Sequence, residues 1–401
     1  MKVGFLLDCL PQAGGGNTAI NSEVELIKKI KLSEIETRVI VTSYELKCII
    51  EKKFNIKVFL YKKNSFLIRL INFFSKNFIF LSFIQKYIFF SHFQNFIIRL
   101  NIDLLIFLTP SDLVLGLNKT NFIYQIWEFQ HKFTPYFPEY KSKKFSINKR
   151  EEILNFVSIN AFKIFFGTKK SSADFIKHYN FASSKVVIKQ LPSSLVSNEN
   201  IIRETEIING MNKNIENHFI FYPAQYWAHK NHVYILEALE NIIKNNKINI
   251  KCIFTGSDKG NLNYIKKIIF EKKLNNHVII YDYLSNQDII LLYKNCIAVV
   301  VPTFVGTISF PVIEAFYYKK PVICNSSILD DLYKDKILDL NIDDINSLEK
   351  NLLFIKNNYK KISDLVERNY IFYNDFYKLN NLVEKIENII VEYRYLAKRW
   401  N

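Results

Sequence analysis

Short apolar runs that do not alternate with polar residues recur along this chain, and they restrict its fold more than any other feature. They occupy residues 2–7, 37–42, 103–108, 121–126, 161–166 and 185–189, then 218–222, 248–254, 278–281, 298–301 and 321–324. A strand that is apolar on both faces must be covered on both, which predicts parallel sheets sandwiched by helices. Longer helical periodicity fills the gaps, as at 18–31 and 233–244, so the class is α/β. The polar, aperiodic stretch 195–213 separates two sets of runs and reads as a linker. Two Rossmann-like domains facing a cleft follow, with ligands beyond the carboxyl ends of the strands. Residues 345–400 read as helices.

Nearly half of the residues are apolar (49%), enough for packed cores and against a disordered chain. The formal charge of +16 favours phosphate-bearing partners: nucleic acid, anionic lipid or a nucleotide. Nucleic acid is set aside, because the chain has no RNP motif, no Cys/His zinc pattern and no recognisable DNA-reading helix. Cys9, Cys48, Cys252, Cys296 and Cys324 form no Cys-x-x-Cys pair and lie mostly in apolar runs. They read as reduced core residues of a cytoplasmic protein. Residues 1–10 are too short for a signal sequence, are interrupted by Asp8, and read as a first strand. Between 66 and 100, Arg69, Lys76, Lys86 and Arg99 break an aromatic stretch into pieces too short to span a membrane. Two readings stay open there: an interfacial segment on an anionic membrane, or a helix pair packed in the first domain.

Residues 301–326 (VPTFVGTISFPVIEAFYYKKPVICNS) carry the most chemistry. A strand ends at Val301. A loop with Gly306, Thr307, Ile308 and Ser309 follows, and Pro311 opens a helix in its first turn. Backbone N–H groups and the positive end of the helix dipole then face an anion. Glu314, expected in the first helical turn, could accept from ribose hydroxyls, or could simply be a carboxylate favoured by the dipole. Residues 222–232 (YPAQYWAHKNH) form a loop after a strand, with Gln225 and Lys230. Gly14, Gly15 and Gly16 after the first strand read as a turn or as a loop whose backbone approaches a ligand.

The 301–326 segment resembles the signature of retaining glycosyltransferases of the GT-B fold, glycosyltransferase family 4: Pro-Ser-x-x-Glu-Gly-Phe-Gly-Leu-Pro-x-Leu-Glu-Ala, then Pro-Val. Pro302, Thr303, Pro311, Glu314, Ala315, Pro321 and Val322 fit, and Gly306 stands where the family has a glutamate near the transferred sugar. The 222–232 loop is similar to the family's diphosphate loop, with Lys230 in the lysine's place and Gln225 in the arginine's. The Gly256-Ser257 pair matches a strand-end Gly-Ser, and Tyr281–Leu284 matches a segment whose backbone holds the base, with Tyr283 and Leu284. Residues 126–138 (IWEFQHKFTPYFP) resemble an acceptor-side string, so Glu128 and His131 are expected to face the cleft. Phe166, Gly167, Thr168 and Ser171 match the next strand end.

What the resemblance implies is GT-B architecture. An acceptor domain spans about 1–195, a donor domain about 210–380, and a C-terminal helix at 381–401 returns to the first domain. The implied activity is retaining transfer from a nucleotide-sugar of the GDP-mannose or UDP-hexose class. The acceptor is a glycan or lipid-linked glycan, in surface polysaccharide or lipopolysaccharide synthesis at the inner face of the membrane. The family needs no cofactor or metal, and the chain has no Asp-x-Asp motif. Expected catalytic residues are Glu128, His131 and Lys230. Expected donor-binding residues are Gly15, Gly16, Gln225, Lys230, Gly256, Ser257, Tyr283, Leu284, Gly306, Thr307, Ile308, Ser309 and Glu314. A non-catalytic GT-B module that binds a glycan or a partner enzyme is the alternative, favoured by Gly306 and Gln225.

Overall fold

The computed structural model describes residues 1–9, 15–63, 92–141, 146–197, 218–245, 248–282, 284–306 and 309–399. Two wholly parallel sheets organise it. The first comprises β1 (Lys2–Leu7), β2 (Glu36–Val41), β3 (Val58–Leu60), β4 (Leu104–Phe107), β5 (Asn121–Ile126), β6 (Lys163–Phe166) and β7 (Val186–Ile188), in the order β3-β2-β1-β4-β5-β6-β7. The second comprises β8 (Phe219–Pro223), β9 (Lys251–Thr255), β10 (Val278–Tyr281), β11 (Ala298–Val301), β12 (Val322–Cys324) and β13 (Leu338–Asp339), in the order β10-β9-β8-β11-β12-β13. The predicted α/β class and paired Rossmann-like sheets are what the structure contains. Strands β3 and β13 are additions, each too short to show a pattern in the sequence.

Both faces of the first sheet are buried, as unalternating strands require. Val3, Phe5 and Leu7 point into a core closed by the helices Gly15–Lys29 and Leu379–Ala397. Leu6, Leu105 and Phe107 point into an opposite core closed by the helices Ile147–Asn160 and Lys169–Tyr179. The second sheet lies within one large core, where Leu236, Ile265, Ile313 and Leu352 bring in the surrounding helices. In each sheet the strand order reverses beside the first strand, at β1/β4 and at β8/β11. These are the switch points where a crevice opens beyond the carboxyl ends.

The chain passes between the domains at 191–195: Leu191 belongs to a core of the first domain and Leu195 to that of the second. It returns at 377–379, where Tyr377 packs in the second core and Leu379 opens a helix whose Leu382, Ile386 and Ile390 pack in the first. Residues 64–91 lie outside the described set, and with them most of the 66–100 stretch; residues 92–99 are helical. No described helix is long and apolar enough to cross a membrane. Of the cysteines expected in the core, Cys252, Cys296 and Cys324 are buried, but Cys48 is exposed and Cys9 half-buried. Cys48 falls on the outer face of the helix Tyr44–Phe54, whose Leu46, Ile50 and Phe54 take the inner one.

Candidate active site

The switch point of the second sheet is built by two loops tied together. The loop after β8 turns at Asn231, in the left-handed region at φ 55°. Asn231 Nδ2 donates to Pro302 O (3.2 Å), Thr303 Oγ1 donates to His229 O (3.0 Å), and Phe304 N–H donates to the same carbonyl (2.9 Å). The Lys230 loop is thereby fixed against the loop that leads from β11 into the helix Phe310–Tyr317. Lys230 is half-buried, and its ammonium has no hydrogen bond or ion pair among the described residues. Burial holds it below the ordinary lysine range, partly offset by Cys324, Glu139 and Glu128. A half-buried cation with no ion pair among the described residues favours an anion beside it.

Gln225 is placed otherwise than expected. Its Nε2 donates to Ser257 Oγ (3.0 Å) and its Oε1 accepts from Trp227 Nε1 (3.0 Å), so its amide braces the loop. The brace depends on Gly256, where an added Cβ would lie 2.4 Å from Ala224 O and 2.8 Å from Gln225 Cα. Under this loop His232 is fully buried among Tyr222, Tyr226 and Phe254, and burial drops its imidazole to about 3, so it packs as a neutral ring.

Glu314 requires a correction. The helix begins at Phe310 with Pro311 in its first turn, which leaves Glu314 in the second turn. It is 5% exposed, Oε1 accepting from Ser193 Oγ and Oε2 from Tyr293 OH, each at 2.6 Å. Burial pushes its carboxyl above the usual range, and the two hydroxyls oppose that only in part. Ser193 belongs to the crossover between domains, so Glu314 ties that crossover to the second domain. Ser309 is the residue before the helix and makes no side-chain cap. Leu284 packs at the margin of the second core. Tyr283, Thr307 and Ile308 lie outside the described residues, as does Gly14; Gly15 begins the first helix, and a Cβ on Gly16 would meet nothing within 4 Å.

On the first-domain side, His131 is also corrected. It is 2% exposed, with Nε2 2.6 Å from Glu151 Oε1, a carboxylate that also takes Lys132 and the Tyr179 hydroxyl. Its role is to fix the 126–138 string, not to face the cleft. Glu128 is half-buried, paired with Arg150 and accepting from Gln130 N–H (2.8 Å).

Sequence reasoning missed the contacts that join the domains. Glu139 of the first domain pairs with His229 of the second. Phe137 and Tyr140 pack on Val305. Asp330 accepts from the backbone N–H groups of Lys169 and Lys170, both at 2.8 Å, and so caps the helix Lys169–Tyr179 from across the cleft. None of these lies in a motif, and a cap supplied from 160 residues away leaves no local signal. Between the domains a cavity of about 340 Å³ is lined by Gln130, Phe133, Thr168, Ser171, Asp174, Phe304 and Gly306, among others. No described group of three or more His, Cys, Asp or Glu is arranged to hold a metal ion.

Two parallel-sheet Rossmann-like domains with a cleft between them make this the GT-B fold. Within it, the family model for glycosyl transferases group 1 matches residues 203–368, the greater part of the second domain, and supports a glycosyltransferase. HepE of Anabaena in complex with UDP and glucose is similar at TM-score 0.74 and 13% identity, over 98% of this chain and 100% of that one. A glycosyltransferase from Rickettsia africae is similar at TM-score 0.67 and 16% identity, over 98% of each chain. WaaG, a glycosyltransferase involved in lipopolysaccharide biosynthesis, is similar at TM-score 0.66 and 15% identity, over 97% of this chain and 99% of that one. Among curated protein sequences, none matches this chain.

Proposed function

We propose that the protein is a retaining glycosyltransferase that moves a sugar from a nucleotide-sugar to a glycan or lipid-linked glycan in surface-polysaccharide or lipopolysaccharide synthesis. The observation that carries this reading is Lys230, a half-buried ammonium without a partner among the described residues, held at the β8/β11 switch point. A diphosphate there gains a counter-ion and the N–H groups of the helix that begins at Phe310. In the reaction the bond from the anomeric carbon to the diphosphate oxygen breaks, and a bond to the acceptor oxygen forms on the same face. The acceptor proton passes to the departing phosphate oxygen. Lys230 stabilises the charge that develops on that phosphate. This scheme uses no metal or cofactor, and Glu128 stays close enough to Lys230 to tune it.

The donor belongs to the GDP-mannose or UDP-hexose class, and HepE, bound to UDP and glucose, favours testing UDP first. The +16 charge suits a cytoplasmic enzyme that meets its acceptor at an anionic membrane face.

Thermal-shift titration with GDP, UDP and ADP on wild type and Lys230→Ala tests the reading. One nucleotide should raise the melting temperature of wild type alone; no shift with any of them at millimolar concentration sinks it. The engaged amide of Gln225 and the bare Gly306 favour a second reading, a glycan-binding module without turnover. Nucleotide binding without release of nucleotide from any donor would mark that case.

A further inference from the structure

The helix Phe310–Tyr317 divides its faces between the two domains. Val312, Ile313, Ala315 and Phe316 are buried in the second core. Phe310 is half-buried and packs on that core, and also on the first-domain core that holds Leu7, Val24 and Leu191. No other described apolar side chain is shared by these two cores. Glu314, one turn further along, falls on the same face of the helix as Phe310. It accepts from Ser193 Oγ of the crossover at 2.6 Å. One face of this helix is thus fixed to the first domain and to the chain that enters the second. The backbone of Phe310 has a different task. Pro311 has no N–H, and the N–H groups of Val312 and Ile313 both donate to Ser309 O, at 2.9 and 3.4 Å. The Ser309 side chain makes no cap. The Phe310 N–H has no partner among the described residues, and it lies at the end of the helix that carries the positive dipole.

An N–H whose own side chain is seated in the opposite domain is aimed by that domain. The packed ring resists rotation of the first helical turn, and a hydrogen bond to a charged oxygen weakens steeply as it departs from linearity. We propose that Phe310 is a positioning residue: its side chain, docked on the first domain, directs the start of the helix at the diphosphate held by Lys230. The nucleotide site of the second domain then reaches full affinity only while the first domain is docked. Linkage makes the effect reciprocal, so a bound nucleotide strengthens the docking by the same factor. This deepens the transferase reading and rests on it.

Titration calorimetry with UDP, GDP and ADP on wild type, Phe310→Ala, Phe310→Leu and Phe316→Leu tests the assignment. Phe316 is fully buried in the second core alone, so Phe316→Leu is the control: it should lower the melting temperature and leave nucleotide affinity unchanged. Phe310→Ala should weaken the nucleotide that wild type binds by about tenfold. Phe310→Leu keeps an apolar side chain for the first-domain core and should recover most of that loss. Amide exchange reads the link between domains. Nucleotide should slow exchange in the buried part of the helix Gly15–Lys29 in wild type and Phe310→Leu, but not in Phe310→Ala. The positioning role is overturned if Phe310→Ala binds nucleotide as wild type does, if Phe316→Leu loses as much affinity, or if Phe310→Ala keeps the first-domain protection. Nucleotide bound equally by wild type and Phe310→Ala sinks this role alone. Failure of wild type to bind any of the three nucleotides sinks the transferase reading, and the role of Phe310 with it.

Discussion

Lys230 holds a charge that no described residue pairs with, and its cost and its use are separable. Burial depresses its titration, so the folded chain disfavours the ammonium relative to the unfolded one and loses stability as pH falls through the depressed value. Lys230→Met should therefore raise the melting temperature of the free protein, by about 2–4 °C if about 1 kcal/mol is relieved. The same variant should abolish the nucleotide-induced shift, and calorimetry with and without nucleotide reads both effects. Glu314 carries the opposite sign. Its carboxyl titrates higher in the fold than its ordinary 4.5, so its contribution is full below that value and fades as pH rises through the raised one. Glu314→Gln should lower the melting temperature most at about pH 5, and its deficit against wild type should shrink as pH rises. Gly256 is a steric case: a methyl group 2.4 Å from Ala224 O forces the loop apart. Gly256→Ala should cost about 1–3 kcal/mol in chemical denaturation and weaken nucleotide binding by displacing Gln225 and Lys230. The place of Lys230 in the loop after β8 was readable from its neighbours in sequence. The burial of Glu314 was not, because Ser193 and Tyr293 reach it from 121 and 21 residues away.

At the scale of elements, the strands were legible and their partners were not. An unalternating run such as 298–301 declares burial on both faces, and β11 is buried at every position. A two-residue strand such as β13 has no period to read. The string at 126–138 was singled out as facing the cleft, yet its histidine is buried. A motif marks which residues act together, and only packing decides which face of a short 3-10 turn meets the cleft; His131 sits in such a turn, Gln130–Lys132. The helix Lys169–Tyr179 shows the same limit. Its own Thr168 supplies one local cap, accepting from Ser171 N–H at 3.0 Å. The stronger cap comes from Asp330 of the other domain. Asp330→Ala should cost about 1–2 kcal/mol, a range typical of a lost helix cap. Because that cap spans the cleft, the loss should also appear as faster amide exchange at the start of this helix, while the second sheet stays protected.

At the scale of the whole molecule, the two domains touch through contacts of different chemistry: the Asp330 cap, the Glu139–His229 pair, the apolar cluster of Phe137, Tyr140 and Val305, and Phe310 packed on both cores. The polar contacts are worth little singly, since a cap contributes about 1–2 kcal/mol and the mostly buried Glu139–His229 pair offsets its own desolvation before it adds anything net. Closure is therefore a shallow equilibrium, which a ligand that binds both walls can shift by its differential affinity. Acidification acts on the same balance. Burial lowers the titration of His229, with Glu139 opposing, and that pairing holds Glu139 low as well. Both depressed values place their stabilisation above the unfolded values of 6.5 and 4.5, and it is lost as pH falls through the folded ones. Only the His229 share falls between these limits, because the Glu139 window lies below 4.5, so small-angle scattering of the free protein should show a slightly larger radius of gyration at about pH 5 than at about pH 7.5 and a further increase at about pH 4. Asp330→Ala combined with Glu139→Gln should be expanded already at neutral pH, and a nucleotide that binds Lys230 together with the first domain should return it toward the wild-type value. If the double variant scatters like wild type at each of these pH values, the apolar cluster and Phe310 alone hold the domains together, and closure is not the shallow step that the polar contacts imply.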